Sequence, residues 1–124
     1  MAVTAARHAL KKKAGDLIVL ELTGLTVVAD YFLICSAEST TQVKAIAEYV
    51  EQELSSIGIK PRGIEGLDYS HWVLIDYGDV IIHIFEKETR HFYNLEKLWM
   101  DAPLVELNEN RDYMGGKNKR AVHT

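Results

Sequence analysis

From Trp72 to Pro103 the chain reads WVLIDYGDVIIHIFEKETRHFYNLEKLWMDAP, and the first half of that stretch leaves the backbone few options. Two apolar runs, His71 to Asp76 and Asp79 to Phe85, meet at Asp76-Tyr77-Gly78-Asp79, so the segment reads as a β-hairpin. With a two-residue loop and Asp76 opposite Asp79, Leu74 faces Ile81 and Trp72 faces His83. Val73, Ile75, Val80, Ile82 and Ile84 then make one wholly aliphatic face. The other face carries Trp72, Leu74, Asp76, Asp79, Ile81, His83 and Phe85, a mixture suited to a surface that something else covers. A bulged three-residue turn would shift this register, with Gly78 supplying the positive φ that Tyr77 tolerates poorly.

The remaining periodicities place helices and strands around the hairpin. Residues 3–14 predict a helix ending in Lys11-Lys12-Lys13, cations favoured at the negative end of its dipole, with Gly15 placed to end it. Leu17 to Leu22 and Asp30 to Ser36 read as buried strands joined through Thr23-Gly24-Leu25-Thr26. Thr40 to Ile57 is the clearest helix: Val43, Ile46, Ala47, Val50, Leu54 and Ile57 share a face, Ser39 or Thr40 caps the start and Gly58 stops it. Pro61 to Gly66 reads as an edge-like connection. Lys87 to Met100 predicts a second long helix with Phe92, Leu95 and Trp99 on its inner stripe, Tyr93 pointing away from it, and Asp101-Ala102-Pro103 ending it. After the apolar patch Leu104 to Leu107 the chain turns polar, which predicts a domain over 1–110 and a basic, mobile tail over 111–124.

Composition narrows the function classes. A chain of 124 residues that is 48% apolar supports one core and no second domain. No stretch approaches the ~20 apolar residues of a membrane span and none resembles a signal-peptide core, so a soluble, cytoplasmic protein is expected. The lone Cys35 has no partner for a disulfide or a zinc site, and inside an apolar strand it reads as a small buried hydrophobe. Residues 1–110 hold 10 Lys+Arg against 17 Asp+Glu, while 111–124 hold 4 against 1. A body of net charge −7 suits a basic protein partner better than nucleic-acid phosphates.

Catalytic constellations are scarce. Asp76 and Asp79 resemble a metal-binding carboxylate pair for nucleotidyl transfer, but no third acid stands at a convincing spacing and no phosphate-binding loop is present. Asp is also a common turn residue. His83 and His91 fit no zinc pattern and read as packed or hydrogen-bonded, and no metal or cofactor is expected. Phe92 and Trp99 read as core, whereas Tyr77 and Tyr93, off their elements' apolar faces, are interface candidates. The expected partner-binding set is therefore Trp72, Asp76, Tyr77, Gly78, Asp79, His83 and Tyr93.

A family resemblance runs through the chain in order: Asp30-Tyr31-Phe32-Leu33-Ile34-Cys35-Ser36, Gln42-Val43-Lys44-Ala45-Ile46-Ala47, Ile64-Glu65-Gly66, Trp72 through Val80 with His83 and Phe85, and Phe92-Tyr93-Asn94-Leu95-Glu96 through Leu98-Trp99 to Asp101-Ala102-Pro103. Over residues 3–103 it resembles the ribosomal silencing factor family, also called Iojap or RsfS. That resemblance implies a single α/β domain with a mixed sheet of about five strands flanked by helices, similar to the nucleotidyltransferase fold without its catalytic site, and a homodimer when free. It also implies binding to the intersubunit face of the large ribosomal subunit, through the ribosomal protein numbered fourteen in the L series. There it would block small-subunit joining when nutrients are scarce, with no catalysis. Cys35 stands where many relatives carry a smaller residue. Two other readings are a metal-dependent nucleotidyltransferase using Asp76 and Asp79, and an RNA-binding module using Lys11–Lys13 and the tail, which would also give a peripheral ribosomal RNA contact.

Overall fold

The two most buried strands pair in parallel at the centre of the sheet. In the computed structural model, which describes residues 1–107, β2 (Tyr31–Ala37) lies beside β5 (Val80–Glu86), with Phe32 opposite Ile81 and Ile34 opposite His83. Both are buried on both faces and apolar there apart from Ser36 and His83, as strands covered on both sides tend to be. β1 (Gly15–Glu21) adds antiparallel to β2, while β4 (Trp72–Asp76) and then the three-residue β3 (Gly63–Glu65) add antiparallel on the other side. The mixed sheet has the order β1-β2-β5-β4-β3. A single α/β domain with a mixed sheet of about five strands is what the family resemblance implies.

Two helices cover one face. In α1 (Ala2–Lys11) a stripe of Ala2, Ala5, Ala6 and Ala9 is buried, small side chains that let the helix lie close to its neighbours. α2 (Thr40–Ser56) buries Val43, Ile46, Ala47, Val50 and Leu54 against Leu33, Cys35, Val73, Ile75, Ile82 and Ile84. Each fully buried aliphatic side chain there contributes roughly 1.5–3 kcal/mol. The Ser39 hydroxyl accepts the Gln42 N–H at 3.1 Å, capping the helix, and Gln42 Oε1 accepts the N–H of Glu38, the residue before the cap, at 3.2 Å. Gly58, at φ +87, terminates α2 as expected.

The end of α1 differs from its prediction. Lys13 takes the left-handed position (φ 66), its N–H bonding to Leu10 O and that of Ala14 to Ala9 O, the paired bonds of a Schellman cap. Gly15 instead opens β1. The three lysines are exposed at the negative end of the helix dipole, with Lys12 Nζ 4.9 Å above the Tyr49 ring.

The other face of the sheet is covered more thinly. The predicted helix over 87–100 is two pieces, α3 (Lys87–Tyr93) and a 3₁₀ turn, Leu95–Trp99, separated by Asn94 at φ 46. Leu95, Trp99, Ala102 and Leu104 lie over Leu20, Phe32, Ile34 and Phe85. Beyond them Pro103 to Val105 runs antiparallel along the outer edge of β1: Pro103 O accepts the Glu21 N–H at 2.9 Å, and the Val105 N–H donates to Val19 O at 2.8 Å. The sequence reading gave this apolar patch no role within the domain; in the structure it protects a sheet edge. The predicted tail over 111–124 lies outside the described residues. Among the described residues no helix is long and apolar enough to cross a membrane.

Candidate partner-binding face

The hairpin folds one residue later than the sequence suggested. The loop is Gly78-Asp79, with Tyr77 N–H donating to Val80 O at 2.9 Å, so Trp72 pairs with Phe85, Leu74 with His83 and Asp76 with Ile81. Asp76 Oδ1 accepts the Gly78 N–H at 2.8 Å, and Gly78 sits at φ +88, the first loop position where a tight hairpin needs glycine. Asp79 O then accepts the N–H groups of Asp30 and Tyr31 at 2.8 and 3.0 Å, docking the turn onto the start of β2. The slip is two residues in pairing, an even number, so each strand keeps its faces: Val73, Ile75, Val80, Ile82 and Ile84 pack under the helices as expected.

Four of the seven expected site residues form this turn. Asp79 is exposed, whereas the Asp76 carboxylate is partly committed to holding the loop. Tyr77 projects toward the helix side, packs against the aliphatic core and buries its hydroxyl without a partner. Burial, and then the Glu51 charge, push its phenol up to about 12. It is therefore half core, and less available than its place off the apolar stripe suggested.

The other three, Trp72, His83 and Tyr93, meet at the opposite end of β4, roughly 13 Å away at ~3.3 Å per residue. Trp72 stacks on Phe85 with ring centroids 4.8 Å apart and lies 5.1 Å from Tyr93, which is 55% exposed. His83 sits beneath them, 4% exposed, 4.6 Å from Phe32, with Nδ1 accepting the Trp72 indole N–H at 3.1 Å. Burial lowers its pKa from 6.5 to about 4, so the ring is neutral near pH 7. The expectation of a packed, hydrogen-bonded histidine holds for His83 and not for His91, which is exposed.

Breaking the helix at Asn94 rearranges the stripe. Trp99 remains packed, 6.0 Å from Phe32, but Phe92, which the sequence reading put in the core, is 78% exposed with its ring 5.0 Å from that of Tyr93; Leu98 and Met100 are exposed as well. The break is held by Arg90: Nε donates to Glu96 Oε2 at 2.9 Å, and Nη1 donates to Asp16 O at 2.7 Å and Ser36 Oγ at 3.2 Å. A cleft of about 770 Å³ opens beside it. An Arg six residues before a Glu is the one sequence signal of this clasp, and helical periodicity masks it.

Among the described residues no group of three or more His, Cys, Asp or Glu side chains stands together as a metal ion would require. Cys35 is fully buried, and that burial, opposed by the Arg90 charge, pushes its thiol up to about 12, so it is no nucleophile.

The profile of a family described as "Ribosomal silencing factor during starvation" matches residues 1–124. The chain belongs to the ribosomal silencing factor family. It is 48% identical over 97 residues to "Ribosomal silencing factor RsfS" of Bacillus subtilis, covering 78% of this chain and 82% of that protein. It is 34% identical over 113 residues to "Protein Iojap, chloroplastic" of Zea mays, covering 86% of this chain and 46% of that one. A crystal structure of a Bacillus halodurans protein superposes with a TM-score of 0.74 at 43% identity, over 83% of this chain and 93% of its own. One from Chromobacterium violaceum gives 0.75 at 33%, over 77% and 80%. The family match includes the tail beyond Pro103, where the motifs quoted above stop.

Proposed function

We propose that this silencing factor binds the large ribosomal subunit at its intersubunit face, through the ribosomal protein numbered fourteen in the L series, and blocks small-subunit joining by occupancy. It acts in the cytoplasm, represses translation when nutrients are limiting, and is a homodimer when free. The observation that carries this reading is the face itself: exposed Tyr93 and half-buried Trp72 at one end of β4 and exposed Asp79 at the other, on a domain whose described residues form no metal cluster. Aromatic rings beside carboxylates suit the cationic and apolar side chains of a basic protein. The charge of −7 over residues 1–110 favours the same partner.

The nucleotidyltransferase alternative gains nothing from this geometry, because Asp76 Oδ1 is engaged by the Gly78 N–H. A peripheral ribosomal RNA contact through Lys11–Lys13 would lie away from the docked turn but at the same end of the sheet as Trp72, since Gly15 pairs with Ser36, Ser36 with Phe85 and Phe85 with Trp72. Sucrose-gradient assays of subunit joining test the proposal. Inhibition should be stoichiometric with large subunits and independent of nucleotide; a sub-stoichiometric, nucleotide-dependent effect would contradict it.

A further inference from the structure

His83 is a costly choice for a core position. Its Nδ1 accepts the Trp72 indole N–H at 3.1 Å, which requires the proton to sit on Nε2, and Nε2 is buried with no hydrogen-bond partner. Its cross-strand neighbours are Ile34 and Leu74, and Phe32 and Phe85 flank the ring. A leucine or phenylalanine would fill such a site without leaving a donor orphaned, so volume alone does not account for the imidazole. What the imidazole adds is an acceptor aimed at the polar edge of Trp72. Trp72 is only half-buried, at the rim of the face, where water could otherwise have met its N–H.

We infer that His83 is a positioning residue for the partner-binding face: it draws the indole N–H of Trp72 inward, so that the face presents the ring surface beside Tyr93 and no indole donor. This rests on the function proposed above. It deepens that reading by stating what the platform recognises. With its one polar group spent, Trp72 offers a partner only apolar contact or the negative face of a π-system, which selects aliphatic and cationic side chains over carboxylates and carbonyls. The stack of Trp72 on Phe85 and the contact with Tyr93 hold the ring from two further sides, so the tether fixes its remaining rotation.

The wild-type protein gives the first test, by nitrogen-15 NMR at neutral pH. His83 should show a protonated Nε2 and a bare Nδ1, and the Trp72 indole proton should exchange slowly with water. The opposite tautomer, or free exchange, would overturn the assignment. Binding to purified large subunits gives the second test. His83→Leu, folded by circular dichroism, should move the Trp72 indole resonance and weaken binding roughly tenfold. His83→Asn, whose amide oxygen can take the place of Nδ1, should restore both. A folded His83→Leu protein that binds like the parent would overturn the inference, since a purely structural role affects stability alone. If His83→Leu does not fold, the wild-type tautomer and exchange rate decide. A parent protein that binds no large subunit would sink the functional reading and with it the role in binding, whereas a wrong tautomer sinks His83 alone.

Discussion

Burying His83 in its neutral form ties the stability of the domain to pH in a definite direction. The folded-state pKa of about 4 lies below the ordinary 6.5. On acidification the unfolded chain therefore takes up this proton first. The stabilisation is fully present above about pH 6.5 and is lost progressively as pH falls toward 4, by about 3 kcal/mol in all at ~1.36 kcal/mol per unit. No charged side chain among its strand and ring neighbours offsets the cost. Urea unfolding of the wild type should weaken more between about pH 7 and about pH 4.5 than that of His83→Asn; equal losses would show that His83 is not buried neutral. Tyr77 makes a second prediction at this scale. Because its hydroxyl is buried without a partner, Tyr77→Phe should leave stability unchanged or raise it by up to about 1 kcal/mol. Tyr77→Ala, which empties part of the helix-side core, should cost about 2 kcal/mol in thermal unfolding.

Among the elements, the faces of β4 and β5 were legible in the sequence and their register was not. Alternation fixes which side chains share a face, and that survives a shift of two. The register depends on whether Tyr77-Gly78 or Gly78-Asp79 forms the loop, which is settled by the Asp76 bond to Gly78 N–H and by the docking of Asp79 O on Asp30 and Tyr31. Only the first of these is local. The break at Asn94 was hidden for a similar reason: Phe92, Leu95 and Trp99 fit one continuous helix, and the Arg90 clasp that replaces it reaches 74 residues back to Asp16. α2 was read correctly because cap, stripe and stop signal agree along its own length. Gly66 shows the same dependence on distant partners. It joins β3 to the loop before β4 at φ +85, and an added Cβ would collide with the Trp72 carbonyl oxygen. Gly66→Ala should therefore destabilise by about 2–4 kcal/mol and disturb the Trp72 end of the face. A melting temperature equal to the parent's would contradict that.

Across the whole molecule, two packed layers and a thin third divide the work. The helices and the aliphatic face of the sheet supply the core, and the segment 95–105 seals one edge and part of the second face. Deleting residues 111–124 removes four of the fourteen Lys+Arg residues from an acidic chain. Folding and large-subunit binding should persist, with only a salt-sensitive loss of affinity in co-sedimentation; abolished binding at moderate salt would place the tail in the site. On the function proposed above, one surface, spanning Tyr93 at one end of β4 and Asp79 at the other, carries the affinity. Its most direct test is titration of labelled large subunits with Tyr93→Ala and Asp79→Lys, with Ile82→Asp as a core control that should unfold. Both surface variants should keep the parent's circular dichroism. Tyr93→Ala should lose on the order of 2 kcal/mol of affinity and Asp79→Lys should bind measurably more weakly. Folded variants that bind as tightly as the parent would contradict the assignment of this face.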